Sequence, residues 1–198
     1  KEQYGEFFEQ KLSEDELVAE GKKIAQEVVN RLRARTELAD IPIAVALFKQ
    51  EERNSIVPGS YVTFNFADEG KTALGDWQDV NEKYVTFPMN SPEDVYREMN
   101  GDFLKFKQDV DKYFSNFTSV FATGFYQNKR IQKLDIEIPI QFYGTAEITG
   151  FTQYITGLML NHLPLDLNIT VSITSVNGPE VLIVKEPNSE EPFVHIYE

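Results

Sequence analysis

Cysteine is absent from all 198 residues, which removes disulfides, thiolate metal sites and cysteine nucleophiles at once. Histidine is scarce: His162 and His195 stand alone, outside any H-E-x-x-H or H-x-H pattern, so no zinc site is signalled. The G-x-S-x-G, Walker A, G-x-G-x-x-G and S-x-x-K patterns are also missing, excluding the hydrolases, nucleotide binders and serine acyl-enzymes those signatures mark. No window approaches the roughly 20 apolar residues that cross a bilayer, and the opening KEQYGEFFEQKL has no signal-peptide core. It also lacks an initiating methionine, so an upstream targeting segment is expected. Positive charge is in deficit: 19 Lys and Arg face 32 Asp and Glu, a net charge of -13 that repels phosphate backbones and anionic headgroups. Nucleic acid is therefore not an expected partner. No metal or cofactor is implied.

Apolar residues make up 41% of the chain and aromatic residues 13%, well above the composition of disordered proteins. Ser13 and Glu16 have capping-box spacing, and Leu17, Gly21, Ile24, Ala25, Val28 and Leu32 then recur along one helical face, predicting a helix over about 14–37. Alternation at Ile43/Val45/Leu47, Val62/Phe64/Phe66 and Val85/Phe87 predicts three strands. Ser91, Pro92, Glu93 and Asp94 announce a second helix whose apolar stripe, Val95 through Met99, Phe103, Phe106 and Val110 to Tyr113, runs to about 115. Two strands follow around QNKR at 127–130. The second carries Pro139, which points to an edge position or a bulge. A third helix over about 146–162 stops at Pro164, and Leu165 to Thr174 then alternates strictly, as a sheet with one wet face does. Asn177-Gly178 predicts a hairpin turn, with a last strand at Phe193 to Tyr197.

Helix followed by antiparallel hairpin thus recurs, which hints at a remote internal repeat. The fold class expected is α+β, a mainly antiparallel sheet with three helices packed on one face. Residues 1–12 read as a linker remnant. Residues 13–198 read as a single domain, divisible at most into sub-lobes 13–88 and 89–198.

Candidate chemistry is thin. His162 ends the third helix, where a cation suits the dipole, and His195 sits on a strand between Val194 and Ile196; structural roles explain both. Asp135 and Glu137 share a strand face about 7 Å apart, as a glycosidase pair would, but such pairs are common on wet sheet faces. The acids of DEGKTALGD and DWQD lack the D-x-D-x-D-G spacing of a calcium loop. Asn116-Phe117-Thr118 and Asn168-Ile169-Thr170 match the glycosylation sequon, a pattern that arises often by chance. The sole tryptophan, Trp77, lies in a Gly/Asp-rich loop and either plugs a sheet end or presents a ring to a ligand. Tyr126 and Tyr143 bracket the second hairpin and would extend such a surface, so these three form the candidate ligand face.

The block from Ser55 to Pro88, SIVPGSYVTFNF through GKTALGDW to NEKYVTFP, resembles the CamS family of sex-pheromone precursor lipoproteins of Gram-positive bacteria. The likeness continues through SPEDVYREM and LDIEIPIQFYG. It implies a precursor whose signal peptide supplies the pheromone, a lipid-bearing cysteine outside this chain, and a mature domain held outside the membrane by that lipid alone. No site residue is implied for the folded part. Its expected role is non-enzymatic binding of a cell-envelope or peptide ligand; the rival expectation is an envelope enzyme acting on wall glycan or peptide through carboxylates.

Overall fold

The computed structural model describes residues 12–113, 119–142 and 144–197. They form an α+β fold of three α-helices and two sheets, in two compact units that divide between Glu82 and Lys83.

The first unit opens with α1 (Glu14–Arg33), started by the capping box expected of Ser13 and Glu16: the Ser13 hydroxyl accepts the Glu16 amide, and the Glu16 carboxylate accepts the Ser13 amide. A three-residue 3-10 turn (Thr36–Leu38) follows, so the helix ends four residues before the sequence expectation. The chain then runs through β1 (Ile43–Gln50), β2 (Gly59–Ala67) and the short β3 (Gln78–Asp79), an antiparallel sheet in the order β1-β2-β3. Gly59 begins β2 with φ 108, and a Cβ there would collide with the Lys49 carbonyl, so the last residue of SIVPG must be glycine.

α1 docks through its small residues. A Cβ on Gly21 would lie 2.8 Å from Leu47 Cδ1, and the buried residues are Ala25, Val29 and Arg33. The expected face is therefore rotated: Ile24 and Val28 point outward, 61% and 44% exposed. Close approach of backbone to β1 outweighs burial of these two larger side chains.

The second unit holds β4 (Glu82–Phe87), α2 (Asp94–Tyr113), β5 (Phe121–Gln127), β6 (Arg130–Pro139), α3 (Thr145–His162), β7 (Asn168–Ser175), β8 (Gly178–Lys185) and β9 (Phe193–Ile196). Its six strands lie in the order β4-β5-β6-β7-β8-β9. All the described pairings in it are antiparallel except β6 with β7, which α3 joins as a crossover. Asn128 and Lys129, at φ 51 and 63, make the QNKR turn left-handed as a tight hairpin requires. β6 is internal rather than an edge strand, and it does carry a bulge, at Gln132 where its register with β5 shifts; Pro139 lies away from that bulge and is tolerated as the final residue of the strand, opposite Thr174. One core contains Met99, Phe103, Phe106 and Val110 of α2, Phe151, Ile155 and Met159 of α3, and the alternating residues of the sheet. The three helices accordingly do not share one face, since α1 covers the smaller sheet and α2 and α3 the larger.

Candidate functional site

In the first unit the sheet hides the face with less apolar bulk. In β2 the buried residues are Gly59, Thr63, Asn65 and Ala67, while Phe64 and Phe66 line the opposite side. The polar inner face is required by the GKTALGDW loop, whose backbone needs donors. Asn65 Nδ2 donates to the Gly75 carbonyl at 2.8 Å and the Thr63 hydroxyl to the Gln78 carbonyl at 2.8 Å. From the other side, α1 holds the same loop by a stripe of three side chains. Arg33 donates to the Lys71 carbonyl, Gln26 donates to the Thr72 carbonyl and accepts the Leu74 amide, and Lys22 Nζ sits 5.5 Å from the centre of the Trp77 ring.

Trp77 is thus half-buried, with one face occupied by a lysine of its own unit. It is a clip between loop and helix, intermediate between plug and open ring.

The outward face of the sheet is aromatic. Register places Ala44 opposite Phe66, Ala46 opposite Phe64 and Phe48 opposite Tyr61, with edge-on contacts between Phe48 and Tyr61 (5.2 Å) and between Phe64 and Phe66 (5.6 Å). Phe48, Tyr61 and Phe66 are 46%, 47% and 54% exposed, and neither strand contributes a charged side chain to this face. The first unit therefore presents a contiguous, uncharged aromatic surface on a chain of net charge -13. Phe64 and Phe66 belong to the alternating run read from the sequence, whereas Tyr61 falls off that parity and joins Phe48 on this face only through the register shift between Leu47 and Phe48. Which way the run points was not visible in the sequence.

In the second unit Tyr126 is a correction to the expected ligand face: it is only 3% exposed, packed edge-on against Tyr96 at 4.9 Å. Alternation along β5 turns it toward α2, and burial pushes its phenol up to about 12. Its hydroxyl has no hydrogen-bond partner among the described residues. Tyr143, the third member of that face, lies outside the described residues, as does the sequon at 116–118.

A family model described as the CamS sex pheromone cAM373 precursor matches residues 1–191. The chain belongs to the CamS family. Its fold is similar to that of the C-terminal domain of the sex pheromone staph-cAM373 precursor from Staphylococcus aureus, at 33% identity and a TM-score of 0.84 over all of this chain and 59% of that one. A sex pheromone precursor from Lactobacillus salivarius subsp. salivarius UCC118 gives 28% identity and a TM-score of 0.89, over all of this chain and 58% of that one. A third solved sex pheromone staph-cAM373 precursor, at 27% identity and a TM-score of 0.59, matches over 94% of this chain and 66% of that one. The CamS chain therefore spans about three fifths of the length of the first two solved relatives. No curated protein matches it.

The remaining candidate groups of this CamS chain are tied to neighbours. His162 Nε2 meets Asp109 Oδ2 of α2 at 2.7 Å, so it joins two helices in addition to ending one. Lys112, 2.6 Å from Oδ1, and His162 together hold the Asp109 carboxyl below its ordinary value. Asp135 pairs with Lys133 at 2.7 Å. His195 is exposed on β9, its ring edge-on to Tyr197 at 4.6 Å. Lys185 is fully buried and gives its ammonium to the Leu165 and Leu167 carbonyls, at 2.6 and 2.9 Å; burial lowers its pKa, and Asp166 partly offsets this. Among the described residues no three His, Asp or Glu side chains converge as a metal site, and no helix is long and apolar enough to cross a membrane.

Proposed function

We propose that this domain is the non-enzymatic, folded part of a pheromone precursor lipoprotein, held outside the membrane by an N-terminal lipid, and that it binds a cell-envelope or peptide ligand through the first unit. The supporting observation is the aromatic face of β1 and β2, half-exposed and free of charge. The carboxylate-enzyme alternative has weaker support, because Asp135 is engaged in an ion pair with Lys133 on the sheet surface. Membership of a sex-pheromone precursor family supports the lipid anchor.

Two measurements test this reading. Titrating isotope-labelled protein with muropeptides and unstructured peptides should move the resonances of Phe48, Tyr61, Phe64 and Phe66 first, and Phe66→Ser should weaken the response. Release of cleaved glycan or peptide by the protein would establish the enzyme instead. Metabolic labelling of the full precursor with a fatty-acid analogue should place the label on the protein; unlabelled protein in the cytosol would reject the anchor.

A further inference from the structure

The aromatic face ends at a strand edge, and that edge decides what fits it. β1 is terminal in its sheet, and no described residue pairs with its outer side. The Val62 carbonyl accepts the Val80 amide, which from Val62 onward aims the even-numbered backbone of β2 at β3 and the odd-numbered backbone, Thr63 to Ala67, at β1. In the β1–β2 register, Ile43 and Val45 then bond inward, leaving the N–H and C=O groups of Ala44 and Ala46 directed outward beside an apolar face.

Area and charge choose between occupants. Three half-exposed aromatic rings amount to about 300 Å², taking roughly 200 Å² for each complete ring, against the roughly 800 Å² per partner of a stable complex. A second copy also brings its own net charge of -13 against this one. A single extended segment needs less area because its main chain supplies hydrogen bonds. Lys49 lies 3.4 Å from Glu14, placing the acidic first turn of α1, Glu14 to Glu16, beside the far end of β1. With Glu14 paired to Lys49, Asp15 and Glu16 carry the remaining negative charge of that turn, which attracts cationic side chains on the strand face opposite the aromatic one.

We infer that β1 is a strand-addition edge for an extended peptide that alternates apolar residues, laid on Phe48 and Phe66, with basic residues turned toward the first turn of α1. This rests on the binding reading above and specifies the chemistry of the ligand.

The probe is acetyl-(Lys-Val)4-amide, added to the 198-residue chain and followed by NMR. Shifts should concentrate on Ile43 to Gln50, and the same peptide N-methylated on alternate valines should bind at least tenfold more weakly. Ala46→Pro, which removes an outward N–H that the sheet does not use, should have the same effect. The N-methylated peptide keeps the test valid if that variant fails to fold. No shifts at millimolar peptide would overturn the inference, as would equal binding of both peptides. Sedimentation showing a dimer abolished by Ala46→Pro would assign the edge to a second copy instead. If Phe66→Ser loses envelope-fragment binding while Ala46→Pro retains it, strand addition fails and the sheet-face reading stands.

Discussion

Arg33 is the side chain on which the first unit depends most. Its guanidinium carries five N–H donors, and each meets a backbone carbonyl: Nε to Lys71 at 3.0 Å, one terminal nitrogen to Leu38 at 2.6 Å and to Ile41, the other to Ala67 at 3.3 Å and Asp68 at 2.8 Å. One residue thereby ties the end of α1 to the turn after it, the end of β2 and the start of the GKTALGDW loop. Among the described residues of this unit the buried apolar ones are few and small, Ala25, Val29 and Ala67, so little else there compensates. Arg33→Met keeps most of the aliphatic packing and deletes all five donors. A hydrogen bond from a charged group contributes about 1.5–3 kcal/mol, but several of these carbonyls lie near the surface and rehydrate, so the expected net loss is about 3–5 kcal/mol. Arg33→Lys retains the charge with three donors in a tetrahedral array, and should recover less than half of that. Urea titration gives the magnitude. Site-resolved hydrogen exchange gives the place: amides of Ile43 to Ala67 should lose protection while Leu134 to Ile173 keep theirs. A Met variant within about 1 kcal/mol of the parent, or a Lys variant equal to it, would refute the argument that fork geometry holds this unit together.

Tyr126→Phe removes a buried hydroxyl without a partner and should be neutral or stabilising by about 1 kcal/mol in thermal melts. The same substitution should abolish an alkaline loss: the unfolded tyrosine ionises near pH 10 and the folded one at about 12, so the unfolded state binds fewer protons between them and stability falls as pH rises, by at most about 3 kcal/mol. Asp109 acts in the opposite direction. Its folded pKa is depressed, so it stabilises above the ordinary carboxylate range and that contribution is lost as pH falls through the folded value; the difference between Asp109→Asn and the parent should therefore vanish in acid denaturation curves. Trp77→Ala should cost about 1–2 kcal/mol in urea, between the effects of emptying a core and trimming a surface, because the ring is half-buried under Lys22; a cost beyond about 3 would make it a plug after all.

Much of this architecture can be read from periodicity. The run Met99, Phe103, Phe106 and Val110 is buried as its helical spacing requires, and Ile169, Val171 and Ile173 alternate inward along β7 as strand spacing requires. The capping box at Ser13 is local chemistry and stands where local chemistry puts it, whereas the hairpin expected at Asn177-Gly178 turns one residue earlier: Ser175 pairs with Gly178, so Val176 and Asn177 span the turn. Other features depend on what each element meets. Alternation groups Val62, Phe64 and Phe66 on one side of β2, but the opposite side is covered, because α1 and its loop dock there and need Thr63 and Asn65 as donors. Helical spacing made Ile24 and Val28 candidates for burial; the contact of Gly21 with Leu47 rotated them into solvent. His162 and Asp109 are 53 residues apart, Arg33 and Asp68 are 35 apart, and the parallel pairing of β6 with β7 spans the whole of α3. A period specifies which residues share a face. Whether that face is buried is a property of the partner surface, and partners distant in sequence come together only when the chain has folded.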